Sequence, residues 1–161
     1  MKKSYLIGLA LLLIAPMSMY GIKKSNSAAY KNIPTECLNV ELDGSQTLRV
    51  YGKGRNRTDA IEQAKKNAVY DVIFNGIKSG NAGCNTQPLL LEVNAKEKYE
   101  YYFNVFFKDK GEFLKYISME DQRIETKKYG YTGTQMYYAI TVRVLRPELK
   151  QRLIDDGILK P

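Results

Sequence analysis

The stretch VYGKGRNRTDA, residues 50–60, is where groups able to do chemistry lie closest together. Gly52 and Gly54 alternate with Lys53, Arg55 and Arg57 just before a helix-like run. Backbone amides at a helix start, with guanidinium forks beside them, favour an oxyanion. A dinucleotide fingerprint would carry a third glycine where Arg57 stands, and the G-x-x-x-x-G-K-[ST] loop of phosphate-binding folds is absent. Lys53, Arg55 and Arg57 are therefore a candidate anion contact. The plainer reading, in which the glycines permit the turn and the basic side chains are solvated, is favoured.

Other reactive groups are few. The chain has no histidine, so acid–base work would fall to carboxylates or lysine. Glu92, Glu97, Glu100, Glu120, Asp121 and Glu125 show no motif-like spacing, and Asp155-Asp156 lacks the pattern of a calcium loop. Ordinary surface charge explains them, and neither a cofactor nor a metal is expected. Cys37 and Cys84 are the only cysteines. A zinc site would need more ligands and a nucleophilic thiol would usually need a histidine base, so a disulfide is expected. Closing that loop stabilises a fold by roughly 4 kcal/mol in the chain-entropy picture. Thirteen tyrosines stand against no tryptophan. Tyr51, Tyr101 and Tyr137 are candidates for a partner surface, since exposed tyrosine suits protein contact or sugar stacking. The alternative is tyrosine as amphipathic filler at the edge of the core. NRT at 56–58 fits a glycosylation acceptor, but Thr58 is better explained as a helix cap.

The elements that must position these residues are legible from periodicity. CLNVEL alternates, with Leu38, Val40 and Leu42 expected on one face, and DGS at 43–45 marks a turn into QTLRVYG, where Leu48 and Val50 point inward. Thr58 is the expected N-cap of a long helix whose Ala60, Ala64 and Ala68 form a thin stripe suited to close packing on a sheet. SGNAGCNTQP reads as loop, and LLLEV at 89–93 as a short buried strand. Asn94 and Glu97 form a capping-box-like pair before a second helix lined by Tyr99, Tyr102, Phe103, Phe106 and Phe107. Strands follow from Phe113 and through MYYAITVRV, with a turn at 130–134. Pro147 is expected as the first residue of a closing helix bearing Leu149 and Leu153. The order predicts an α+β domain, a mainly antiparallel sheet with helices packed on one face.

At the start of the chain, Lys2 and Lys3 precede an apolar run from Tyr5 to Met19, the pattern of a secretory signal peptide over residues 1–21. The run is shorter than the roughly 20 residues of a membrane span. A flexible lead-in over 22–36 and a single domain over 37–161 complete the expected organisation. No cysteine ends the apolar run, so lipid attachment is not expected. The net charge of +8 invites a nucleic-acid partner, but an exported chain rarely meets one and the basic residues are spread along the sequence. Contact with anionic envelope surfaces, or simple solubility, is the more economical reading. The expected location is periplasmic or secreted.

VYGKG ending a strand, TDAIEQAKKNAV opening a helix, and YYAITVRVL leading into LKQRL together resemble a family of small bacterial envelope domains. That family includes the N-terminal domain of flagellar assembly protein T and the twenty-kilodalton lipoproteins of Helicobacter. The resemblance covers residues 46–156 in outline and implies a non-enzymatic α+β module of the cell envelope. The absent lipobox, the cysteine pair and the tyrosine-rich second helix are departures from it. The expected function is that of an exported binding or assembly module whose partners are envelope proteins. A carboxylate-based hydrolytic or ligand-binding enzyme using the turn at 52–57, and a structural homo-oligomer subunit, are the alternatives.

Overall fold

Strand β1 (Glu36–Val40) opens the sheet and turns back into β2 (Gln46–Gly54) through a tight loop. Asp43 accepts a hydrogen bond from the Ser45 amide at 2.8 Å, and Gly44 takes φ of +83°, a conformation an L side chain would resist. The computed structural model describes residues 33–132 and 135–161, with 119–132 and 135–136 described through the backbone alone. The expected signal peptide, most of the lead-in, and the side chains of Glu120, Asp121 and Glu125 lie outside the described residues. Part of the expected turn at 130–134 does so too.

Helix α1 (Arg57–Tyr70) follows β2. Its N-cap is Asn56, not Thr58: the Asn56 carboxamide oxygen accepts from the Asp59 amide at 2.9 Å. Asn56 has the extended backbone a cap requires, whereas Thr58 already lies inside the first turn. Ala60, Ala64 and Ala68 are fully buried against the sheet, as the thin stripe predicts. The helix ends in a π-helical turn, Asp71–Asn75, closed by Gly76 at φ of +70°. Leu89 and Leu90 donate their amides to the carbonyls of Val72 and Ile73 at 3.0 and 2.9 Å. These bonds explain why LLLEV forms no strand. Its first two residues dock on the π turn, while Leu91 and Val93 are exposed. The third strand lies instead at β3 (Ser79–Gly80), inside the segment expected to be loop.

The second helix is divided into α2 (Ala95–Lys98) and α3 (Glu100–Phe106) at Tyr99, whose ψ of 25° leaves the helical range. Asn94 adopts a left-handed φ of 65° and makes no side-chain cap bond, so the capping box does not form. Tyr99, Tyr102, Phe103, Phe106 and Phe107 nonetheless line the packed side. A 3-10 turn (Glu112–Tyr116) leads into β4 (Ile117–Thr132) and β5 (Gln135–Val144). Helix α4 (Arg146–Asp155) closes the chain, with Pro147 second rather than first and with Leu149 and Leu153 buried.

The sheet has the order β3-β1-β2-β5-β4. All its pairs are antiparallel except the two-residue β1–β3 pair, so the sheet is mixed. Cys37 and Cys84 form a disulfide, with Cα atoms 6.3 Å apart, that fastens the loop after β3 to β1. A bulge between Cys37 and Asn39 turns Cys37 into the core and leaves Leu38 exposed, contrary to simple alternation. Leu42, beyond the strand, is exposed as well. Every helix sends its buried side chains into one core, shared with Leu48, Val50, Ile140, Val142 and Val144 on a single face of the sheet. That is the α+β arrangement the element order predicts.

Candidate functional site

The opposite face of β2 and β5 is built by strand alternation. Leu48, Val50, Gly52 and Gly54 face the helices, so Thr47, Arg49, Tyr51 and Lys53 face the other way. Across the pair, Thr47 lies opposite Arg143, Arg49 opposite Thr141, Tyr51 opposite Ala139, and Lys53 opposite Tyr137. Among the described residues no helix contributes a side chain to this face. Small Ala139 and Thr141 are buried on this face, opposite Tyr51 and Arg49.

Its cations and rings are interleaved. The Arg49 guanidinium lies 5.8 Å from the Tyr51 ring centroid and 3.8 Å from a carboxylate oxygen of Glu36. Lys53 Nζ lies 5.7 Å from the Tyr137 centroid. Such cation–π contacts contribute roughly 0.5–1 kcal/mol each at partly exposed sites. Arg49, Tyr51, Lys53, Tyr137 and Arg143 are all engaged in interactions. Among the described residues the face is basic and aromatic, with its long side chains half-buried.

The structure separates the residues that the sequence groups together. Tyr51 and Tyr137 share the face turned away from the helices, each half-buried. Tyr101 lies on α3 in the helical layer, 86% exposed and apart from them. Lys53 points away from the helix, while Arg55 and Arg57 are exposed at its start. Arg55 lies 3.7 Å from the Asp59 carboxylate, which itself accepts from the Asn56 amide group at 3.0 Å. The Asp59 and Ala60 amides are both taken by Asn56. The helix start thus already holds a carboxylate and a cap of its own.

The two glycines have a packing reason. A Cβ on Gly52 would come within 1.9 Å of the Ala60 carbonyl oxygen and 2.8 Å of the Ala64 Cβ. One on Gly54 would come within 2.3 Å of the Ala60 nitrogen. Glycine on the strand and alanine on the helix let the two backbones meet.

Of the carboxylates, Glu92 pairs with Lys98 at 2.7 Å on the surface and Glu97 is exposed. Lys96, beside them, lies over the ring of Tyr70 at the last residue of α1. That is about 20 Å, the length of the helix, from the basic turn. Among the described residues no group of three histidine, cysteine or acidic side chains could hold a metal, and no helix is long and apolar enough to cross a membrane.

Arg49 and Arg143 were not singled out as site residues from sequence. The signal available was parity, since Arg49 shares the phase of Tyr51 and Lys53 on β2, as Arg143 shares that of Tyr137 on β5. A half-buried polar cluster was also missed. The Tyr102 hydroxyl donates to Asp156 at 2.6 Å, and Arg152 Nε donates to the same oxygen at 2.7 Å. Burial, reinforced by the Asp156 carboxylate, pushes the Tyr102 phenol well above its ordinary value. Its partners lie 50 or more positions away in sequence, with no local pattern to announce them.

Comparison with known proteins finds no matching family model, no matching curated protein and no matching solved structure.

Proposed function

We propose that this chain is an exported component of a bacterial cell envelope, a non-enzymatic binding or assembly module that meets an envelope protein through the open face of its sheet. The observation that carries the reading is the interleaving of Arg49, Tyr51, Lys53, Tyr137 and Arg143 on a face that no described helix covers. Aromatic and arginine side chains on a rigid surface are the residue types that anchor protein contacts, because they bury much area at little entropic cost. The Cys37–Cys84 disulfide fits an oxidising compartment, as does the signal-like sequence over 1–21. The likeness to small envelope domains points the same way.

The rival readings have less behind them. Assembly by edge pairing would need a strand able to template a neighbour. Strand β3 has two residues, and β4 shifts register three times against β5, the irregularity by which edge strands avoid self-pairing. For an enzyme, the described Glu92 and Glu97 are surface carboxylates, Glu92 paired with Lys98.

The test places a photo-crosslinking amino acid at Tyr51, Tyr137 or Tyr101 in turn, followed by irradiation in the native envelope and mass spectrometry. A reproducible envelope-protein adduct from 51 and 137, but not from 101, is the expected result. Adducts from 101 alone, or from none of the three, would sink the proposal.

A further inference from the structure

A second site lies in the helical layer, in a cleft of about 330 Å³ between α1 and the α2–α3 pair. Gln63, Asn67 and Tyr70 line it from α1 at i, i+4 and i+7, and Glu100, Asn104 and Phe107 line it from α3 at the same spacing. The apolar part of the lining is aromatic, from Tyr70, Phe103 and Phe107, with the Tyr70 and Phe107 centroids 6.0 Å apart. The polar part is mostly carboxamide. Gln63 Nε2 donates to Asn67 Oδ1 at 2.9 Å, and Asn67 Nδ2 donates to the Tyr51 carbonyl at 2.8 Å, which sets the α1 side. Glu100 and Asn104 are exposed and make no hydrogen bond or ion pair among the described residues. Both lysines of the cleft are already engaged: Lys66 pairs with Asp109, and Lys96 lies over the Tyr70 ring, 5.3 Å from its centroid.

That lining selects against most ligand classes. A cation would meet Lys66 and Lys96, and an anion would meet Glu100. A wholly apolar chain would strip water from Gln63, Glu100 and Asn104 without returning a hydrogen bond. A ring of hydroxyls with apolar C–H groups meets none of these obstacles. Each carboxamide offers a donor and an acceptor side by side, as two neighbouring hydroxyls do, and a carboxylate accepts from both. We infer that this cleft binds a sugar ring of a glycan. Gln63, Glu100 and Asn104 bond its hydroxyls, and the aromatic side chains meet its C–H groups. The volume lies at the low end for small-ligand pockets and suits one or two such rings. The cleft takes no side chain from the face of β2 and β5 proposed above as a protein contact, so the two can fail separately.

The full-length protein, labelled with nitrogen-15, is titrated with the trimer of N-acetylglucosamine and separately with maltotriose. Saturable shifts of the Gln63 and Asn104 side-chain amides are expected with at least one of them. Tighter binding of the first would name an acetamido glycan as the ligand, and tighter maltotriose a glycan of plain hexoses. Asn104→Ala should weaken binding about fivefold, and Glu100→Ala about tenfold, because the second removes a charge-assisted bond. Both positions are exposed, so the fold tolerates the changes. Glu97→Ala, which removes an exposed acid outside the lining, should leave the affinity unchanged. The site would be overturned by an absence of saturable shifts with either sugar up to its solubility limit, or by an affinity that Asn104→Ala and Glu100→Ala both leave unchanged. A loss in Glu97→Ala as large as that in Glu100→Ala would overturn it as well.

Discussion

The two faces of the β2–β5 pair are made from the same strands, one residue out of phase, and they solve different problems. On one face Leu48, Val50 and Ile140 are buried, and Gly52 and Gly54 lie against the backbone of α1. On the other, Arg49, Tyr51, Lys53 and Tyr137 stand over small Ala139 and Thr141. The first face is close-packed and intolerant of a single added methyl; the second is built of long side chains that can accommodate change. A motif that reads as continuous in sequence, GKG, is thereby divided between them. Its glycines serve helix packing, and its lysine points away from the helix amides it would need to help if the turn cradled phosphate. Alternation in a strand separates neighbouring residues more effectively than distance in sequence does.

The sharpest way to break that contrast is to change adjacent residues. Gly52→Ala places a methyl group 1.9 Å from the Ala60 carbonyl, and backbone on both sides leaves little room for relief. The expected loss is on the order of 5 kcal/mol, enough to unfold a domain of ordinary stability. Lys53→Ala, one residue on, should cost no more than about 1 kcal/mol. Chemical denaturation of the two variants checks the pair. Similar losses would show that the faces are not as different as their geometry implies.

The disulfide tests how far the packed face depends on a covalent tie. Cys37 is buried in the bulge of β1, and Cys84 lies 47 positions later, beyond β3. Replacing both by serine should cost about 4 kcal/mol in the chain-entropy picture. Reduction of the unmodified protein should lower its thermal midpoint in the same direction. A midpoint indifferent to reductant would mean that docking of Leu89 and Leu90 on the π turn is sufficient to hold this edge.

Much of the fold was legible because its signals are local and periodic. The alanine stripe of α1, the alternation of β2 and β5, and Leu149 with Leu153 each fix a face without reference to anything distant. What sequence could not show was set by tertiary bonds. LLLEV has strand composition, yet the π turn leaves the Val72 and Ile73 carbonyls available and the amides of Leu89 and Leu90 fill them. Asn94 precedes Glu97 at capping-box spacing, but a left-handed backbone carries its side chain out of reach. The site was legible in part. Tyr51 and Tyr137 meet on one face because they fall on paired strands, whereas Tyr101 lies on a helix whose position no local pattern specifies.

A pH scan separates the helical layer from the sheet. Tyr102 is held neutral by burial and by its bond to Asp156, so its folded-state value lies above that of an unfolded tyrosine, about 10. Above that pH the unfolded chain releases the proton first. Stability from this group is therefore complete below about pH 10 and falls as pH rises towards the folded value. Tyr102→Phe should lose about 1 kcal/mol at neutral pH with the hydrogen bond, while flattening the alkaline decline. An unchanged alkaline slope would assign the decline to other groups.

The smallest effect on stability should accompany the largest effect on recognition. Tyr51→Ser and Tyr137→Ser, combined, remove both rings from the open face and leave the core untouched. The cation–π contacts and some partly buried ring area are lost, so the expected cost is about 1–2 kcal/mol. Capture of an envelope partner after mild crosslinking should nonetheless fall at least tenfold, because aromatic anchors at the centre of a contact commonly contribute 2 kcal/mol or more to binding. Tyr101→Ser is the matched control, removing an exposed ring from the helical layer at little cost and with capture retained. The three outcomes discriminate among uses of tyrosine that composition cannot tell apart. Loss of capture with the fold intact would make the rings contacts. Loss of stability with capture intact would make them filler over Ala139 and Thr141. Loss of capture through Tyr101 alone would move recognition to the helical layer, leaving the basic, aromatic face of the sheet without a partner to explain it.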